Sequence, residues 1–229
     1  EEIEQVLDIN LNEGPINSIK TSGLGDFVGD IFIGCYSGSI IHLNSEGKLI
    51  NKIRVHNNAV KSLRLHPVEP IGLSGSADGI LASWNYNGET VRQYAGHTSI
   101  IDDIDIDPSG RYVASVGRDF ILMIHGIDDG VLYHSIDLGK RSPKAVCYYD
   151  TNHVIVTNYW GDLLRVSLPH GSVKSATIAK NGISSITVHD DLLVVTSYDG
   201  AIYLVDPSDL KTKNTLRSMI QKVAEPVYV

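Results

Sequence analysis

The stretch His56-Asn57-Asn58-Ala59-Val60 recurs as His97-Thr98-Ser99-Ile100-Ile101, 41 residues further along the chain. The same shift carries Leu63 and Leu65 onto Ile104 and Ile106, His66-Pro67 onto Asp107-Pro108, and Asp78 onto Asp119. Leu73-Ser74-Gly75 falls on Ala114-Ser115-Val116, and Trp84 falls on His125. Working outward, Gly38, Gly79, Phe120, Gly161 and Gly200 form one column with steps of 41, 41, 41 and 39. Self-similarity at a period of this size marks a repeat architecture, and it bounds the fold before any strand is assigned.

Within each period the pattern is that of short strands. Val60, Leu63 and Leu65, then Ile101, Ile104 and Ile106, are apolar alternations closed by turn residues such as Pro108-Ser109-Gly110. A second strand (Ile31-Phe32-Ile33, Val154-Ile155-Val156) runs into a tight turn at Ser37-Gly38, Asp78-Gly79 or Asp199-Gly200. Asp-Gly supplies the positive φ that a two-residue hairpin demands. A third strand (Ile40 to Leu43, Leu163 to Val166, Ile202 to Val205) and a more polar fourth (Lys48 to Val55, Val131 to Leu138) complete the unit. One four-stranded sheet cannot bury both faces alone, and radial stacking of such sheets solves that problem. Helical solenoids of similar period require apolar spacing of three and four, which this chain lacks.

These residues resemble the WD40 family of β-propellers. Its motif places Gly-His before the first strand, Ser or Thr in the second, Asp in the second turn and Trp-Asp at the end of the third. His56, Ser74, Asp78 and Trp84 match, with Val55 in place of Gly and Asn85 in place of the last Asp. Gly96-His97, Ser115 and Asp119 match in the next repeat, where His125-Gly126 replaces Trp-Asp. Asp199 and Val205-Asp206 keep part of the motif in the fifth, while the first and fourth repeats follow it mainly in spacing and strand pattern. The resemblance implies an all-β propeller of four-stranded antiparallel blades, with five blades visible at 14–55, 56–95, 96–139, 140–180 and 181–206. Propellers of this family usually have about seven blades, so five form either a closed ring or a portion of a larger propeller. Residues 1–13 read as a leading outer strand (Ile3 to Ile9), and 207–229 as a closing strand or helix with a tail. Lys211 to Arg217 suits an outer strand, whereas Leu216, Met219, Ile220 and Val223 follow helical spacing.

Ser, His and Asp together raise the possibility of a hydrolytic triad. Their recurrence at one period points instead to a structural hydrogen-bond network in each blade. A buried imidazole between an Asp carboxylate and a Ser hydroxyl, with an indole N–H nearby, satisfies every polar group internally. His56, Ser74, Asp78 and Trp84 fill these roles in one repeat, and His97, Ser115 and Asp119 in the next.

Composition narrows the remaining options. The chain has 229 residues with 19 basic and 27 acidic side chains, a formal charge of −8. Nucleic acid is therefore not an expected partner, because such binders carry a basic footprint. No apolar run approaches the roughly 18–20 residues that span a bilayer, so membrane insertion is not expected. Cys35 and Cys147 lack metal or redox spacing and read as reduced thiols. With the family resemblance this suggests an intracellular protein, cytoplasmic or nuclear. The histidines show no ligand pairing, and Gly72 to Gly79 lacks the Gly-Lys-Ser/Thr of a phosphate loop. Asp102, Asp103, Asp105 and Asp107 crowd one strand rather than several, and Asp103, Asp105 and Asp107 are expected to form a solvated polar face. No catalytic residue, metal site or cofactor is expected, and the chain reads as non-enzymatic.

What the resemblance implies is a platform for protein or peptide partners within a multi-component assembly. In such propellers the residue before the second-turn Asp lies on a shared rim. Here those positions hold Tyr36, Ala77, Arg118, Tyr159 and Tyr198, a composition suited to an interaction hot spot. Trp160, in the Asp column itself, adds an aromatic. A second ring, just after the leading apolar residue of each first strand, comprises Asn17, Lys61, Asp102, Lys144 and Ser184.

Overall fold

The computed structural model describes residues 8–217, which form five four-stranded antiparallel sheets. Blade 1 contains β1 (Ile16–Thr21), β2 (Ile31–Cys35), β3 (Ser39–Leu43) and β4 (Leu49–Arg54). Blade 2 contains β5 (Val60–Leu65), β6 (Ile71–Ser76), β7 (Leu81–Asn85) and β8 (Thr90–Tyr94). Blade 3 follows with β9 (Ile101–Ile106), β10 (Tyr112–Gly117), β11 (Ile121–Gly126) and β12 (Leu132–Asp137). Blade 4 holds β13 (Pro143–Asp150), β14 (His153–Asn158), β15 (Asp162–Ser167) and β16 (Ser172–Thr177). Blade 5 holds β17 (Ile183–His189), β18 (Leu192–Ser197), β19 (Ala201–Val205) and β20 (Thr212–Arg217). Each sheet is a meander in sequence order, inner strand first.

The near-continuous apolar runs of the two middle strands need cover on both faces, and for blades 2 to 4 neighbouring blades provide it on each side. Phe32 and Ile40 of blade 1 share a core with Val60, Leu63 and Trp84 of blade 2. Leu73 and Leu81 then pack on Ile101 and Ile104 of blade 3. Val116 and Leu122 meet Val146 and Val154 of blade 4, and Ile155 and Leu163 meet Ile183 and Leu193 of blade 5. Four shared cores thus join five blades in series. Inner strands β1, β5, β9, β13 and β17 neighbour one another in that order, and over the described residues the ring is not closed between blades 5 and 1. On the far face of blade 1, Ile33, Cys35, Ile41 and Leu43 form a separate cluster with Leu11. Of the two readings of the last segment, Thr212–Arg217 pairs with β19 as a strand. Met219, Ile220 and Val223 lie outside the described residues, as does the expected leading strand Ile3 to Ile9 up to residue 7.

The acidic strand departs from expectation. Asp103 and Asp105 are not a solvated face but clamp three inner strands together. Ser62 donates to Asp103 (2.6 Å) and Arg64 Nε to Asp105 (2.9 Å), both from β5. On the other side the N–H groups of Val146 and Tyr148 in β13 donate to the same two carboxylates at 3.0 and 2.9 Å. Burial opposes the charge on Arg64, yet the two carboxylates hold its pKa above the ordinary value. Asp107 is buried and caps its own turn, accepting from Ser109 and from the Tyr112 N–H.

Every second-turn residue in the glycine column has positive φ: 89° at Gly38, 81° at Gly79, 66° at Phe120, 88° at Gly161 and 78° at Gly200. At Gly161 a Cβ would also collide with the Ala179 carbonyl, whereas at Gly200 the space is open. Gly200→Ala should therefore cost only the left-handed backbone penalty, about 1 kcal/mol. Gly161→Ala adds a backbone clash and should cost about 2–3 kcal/mol. Urea midpoints of the two variants measure the difference, and equal costs would show that the turn contact is unimportant.

Candidate partner-docking rim

Two of the blades carry a hydrogen-bonded chain from turn to core. In blade 2, Trp84 Nε1 donates to Ser74 Oγ at 3.2 Å, and His56 Nε2 lies 2.7 Å from the same hydroxyl. His56 Nδ1 faces Asp78 at 3.3 Å. A carboxylate can only accept, so Nδ1 carries the proton and Nε2 accepts from Ser74. Asp78 also receives the N–H groups of Asn57 (2.9 Å) and Ile80 (3.0 Å). Burial disfavours the Asp78 charge, but these bonds outweigh it and bring its pKa down to about 2. In blade 3, His97 Nδ1 lies 2.9 Å from Asp119 and Nε2 lies 2.9 Å from Ser115. Tryptophan is absent there, and His125 Nε2 donates instead to the Ala95 carbonyl at 2.9 Å.

The other blades brace the same corner with different chemistry. In blade 4, Trp160 takes the Asp column and points out half exposed, while Asp162 accepts from Asn158 (2.8 Å), Thr177 (2.6 Å) and Arg141 (2.5 Å). In blade 5, Asp199 accepts from Tyr203 and the N–H groups of Lys180 and Ala201. Blade 1 uses Ser37, which donates to Glu13 at 2.6 Å.

Both candidate rings lie at one end of the channel, for a backbone reason. In each blade the N–H of the residue before the Asp column donates to the carbonyl just ahead of the inner strand. The bonds are Tyr36 to Pro15 (2.9 Å), Ala77 to Ala59 (2.9 Å), Arg118 to Ile100 (2.8 Å), Tyr159 to Ser142 (3.4 Å) and Tyr198 to Gly182 (2.9 Å). The turn column is thereby tied to the start of the inner strand. Every inner strand also carries a register shift at its second residue: between Ile16 and Ser18, Val60 and Ser62, Pro143 and Ala145, and Ile183 and Ser185. In β9 the shift lies opposite Val116 and Gly117, between Ile101 and Asp103. The extra residues are Asn17, Lys61, Asp102, Lys144 and Ser184, and a β-bulge re-aims the side chain at that position. All five line a channel of about 610 Å³.

The placement is uneven between the rings. Tyr36, Trp160 and Tyr198 are exposed at 51%, 50% and 56%. Arg118 is also exposed, and Tyr159 is half-buried under Lys144, whose ammonium sits 5.6 Å from the ring centre. Asp102 does not face outward: its side chain is fully covered and accepts from Arg118 Nε at 3.0 Å. Asn17 donates to the Val60 carbonyl at 2.7 Å and spans blades 1 and 2. Sequence reasoning missed Phe120, which is partly exposed on the same turn. Its signal was visible: a bulky residue in a column of glycines.

With this geometry in view, a family model described as "WD domain, G-beta repeat" matches residues 47–85 and 88–125. The chain carries two WD40 repeats over these residues. The first matched WD40 repeat runs from the outer strand β4 of blade 1 through β7 of blade 2, so the sequence repeat straddles two blades. The chain is similar to striatin-3 of Rattus norvegicus, 33% identical over 86 residues, which covers 35% of this chain and 11% of that protein. Striatin of Homo sapiens shows the same identity and coverage. The small ribosomal subunit protein RACK1 of Candida albicans is 34% identical over 83 residues, covering 33% of this chain and 26% of that protein. The chain thus spans a minor part of the curated relatives it matches.

The depressed Asp78 pKa links this corner to stability. A carboxylate lowered from 3.8 contributes stability that is complete above that value and is lost as pH falls through about 2. Asp78→Asn should cost about 2 kcal/mol at neutral pH and flatten the loss of stability between about pH 4 and 2. Urea unfolding across that range tests it, and parallel acid limbs in both proteins would refute it.

Proposed function

We propose that the rim is a docking platform for protein or peptide partners, and that the chain acts by recognition without covalent chemistry. The observation that carries this reading is the convergence of two residue rings on one channel end. Exposed Tyr36, Trp160 and Tyr198, with Phe120 and Arg118, supply rigid aromatic and guanidinium anchors of the kind that dominate interface energetics. Bulged residues supply polar groups in the middle of the same surface. His56, Ser74, Asp78, Trp84, His97, Ser115 and Asp119 stand behind that surface and hold the turns in place.

A hydrolytic role for the channel would draw single carboxylates from several blades. The channel carboxylates Asp102, Asp103 and Asp105 all come from β9, and each is already engaged by a cation or an N–H donor. That favours recognition over acid–base work. The buried, free Cys35 and Cys147 suit a reducing, intracellular setting for it.

The test is a joint Tyr36→Ala, Arg118→Ala and Tyr159→Ala variant compared with the intact chain in affinity capture. Partners held by the intact chain should be lost by the variant while its far-UV circular dichroism is unchanged. Equal capture by a folded variant would move the interface elsewhere.

A further inference from the structure

The charges around the channel are compensated at depth but not at the rim. Deeper in, Lys20 and Arg64 face Asp103 and Asp105, two cations against two carboxylates, with Arg64 within 4.0 Å of both acids. At the rim, Lys61, Lys144 and Arg118 face Asp102 alone. Asp102 is consumed by Arg118 through Nε and Nη2, at 3.0 and 3.3 Å. Among the described residues neither Lys61 nor Lys144 has a carboxylate within 4.0 Å. Lys144 rests over the Tyr159 ring instead.

This arrangement is built rather than incidental to a flexible surface. Both lysines occupy bulge positions, so the backbone turns them toward the channel instead of into a blade interface. Neither is fully exposed, and burial together with the nearby Lys144 cation depresses the Lys61 pKa. Two ammonium groups held near each other and partly desolvated repel, and an anion placed between them removes that repulsion. The surplus is local, because the chain as a whole is strongly acidic at −8. Screening over roughly 8 Å at physiological salt lets the local field differ from the global one.

We propose that the rim takes an acidic segment of a protein partner, with one of its carboxylates seated between Lys61 and Lys144. This rests on the docking reading above and adds the chemical class of the partner. Arg118 is the fixed edge of the seat, held by Asp102, and Tyr159 is its floor under Lys144. The aromatic side chains of the surrounding turns flank the segment. General attraction of polyanions is opposed by the net charge, so binding here depends on position as well as sign.

The experiment is fluorescence anisotropy of the whole chain with a dye-labelled, amidated peptide alternating Glu and Ser. The matching Gln–Ser peptide and a single-stranded DNA oligonucleotide of similar length are the comparison probes. The Glu–Ser peptide should bind, and the Gln–Ser peptide should bind at least about tenfold more weakly. The joint Lys61→Gln and Lys144→Gln variant should lose about tenfold or more in Glu–Ser affinity, and raised salt should weaken the wild type in the same direction. Its urea midpoint, compared with wild type, separates a lost seat from a lost fold. Absence of Glu–Ser binding, equal binding of the Gln–Ser peptide, or an unchanged affinity in the folded double variant would overturn the proposal. So would tighter binding of the oligonucleotide. If the double variant also keeps the partners that the Tyr36, Arg118 and Tyr159 variant loses, the docking rim stands and the acidic-segment inference falls.

Discussion

No blade of this molecule can bury both of its faces by itself. Val154 and Ile155 point to opposite sides of β14, and both are withdrawn from solvent, Val154 against blade 3 and Ile155 against blade 5. Burying side chains of this size contributes about 1.5–3 kcal/mol each relative to exposure, so a blade stripped of its neighbour loses several such terms at once. The four shared cores are accordingly the condition for everything else. Rim geometry, channel and turn network all presuppose that adjacent inner strands stay in register.

Polar interactions then refine an arrangement that burial has set. Asp103 and Asp105 are the clearest case, joining β5 to β13 across β9. Removing one partner of such a cluster leaves a half-buried charge uncompensated, whereas the complete cluster fixes the spacing of three strands. The His56 and His97 networks act within a blade, fastening the second turn to the second strand and, through Trp84 in blade 2, to the third. The backbone bonds from the turn to the carbonyl ahead of the inner strand act between these levels. Through them a turn held by Asp78 or Asp119 becomes part of the same surface as the bulged residues.

Much of this was legible in the repeat. The 41-residue shift that aligns Leu63 with Ile104 also aligns strands β5 and β9, and the five-sheet architecture follows from it. The turn column was legible as well, because Asp-Gly and Ser-Gly encode positive φ locally. The bulges were not, since an extra residue in one strand leaves no mark on apolar alternation when that residue is polar. The role of the β9 acids was hidden for a related reason. Their partners Ser62 and Arg64 sit 41 residues away, in the same column of the preceding repeat, so local patterning sees only a run of exposed-looking aspartates. A comparison across columns instead of along the chain exposes the complementarity: Arg64 beside Asp105, and Ser62 beside Asp103. Asp102 was misleading in the opposite sense, since its place in the ring suggested a presented charge, while the fold spends it on holding Arg118.

A docking rim assembled from five blades is useful only if the blades behave as one body. The most direct measurement is urea unfolding of the Trp160→Phe variant, in which Trp84 is the single tryptophan and reports blade 2 from within its core. Its fluorescence transition should coincide with the far-UV circular dichroism transition, which reports all five blades, as cooperative unfolding requires. Separate midpoints for the two probes would show that the blades unfold independently, and would contradict a rim held together by shared cores.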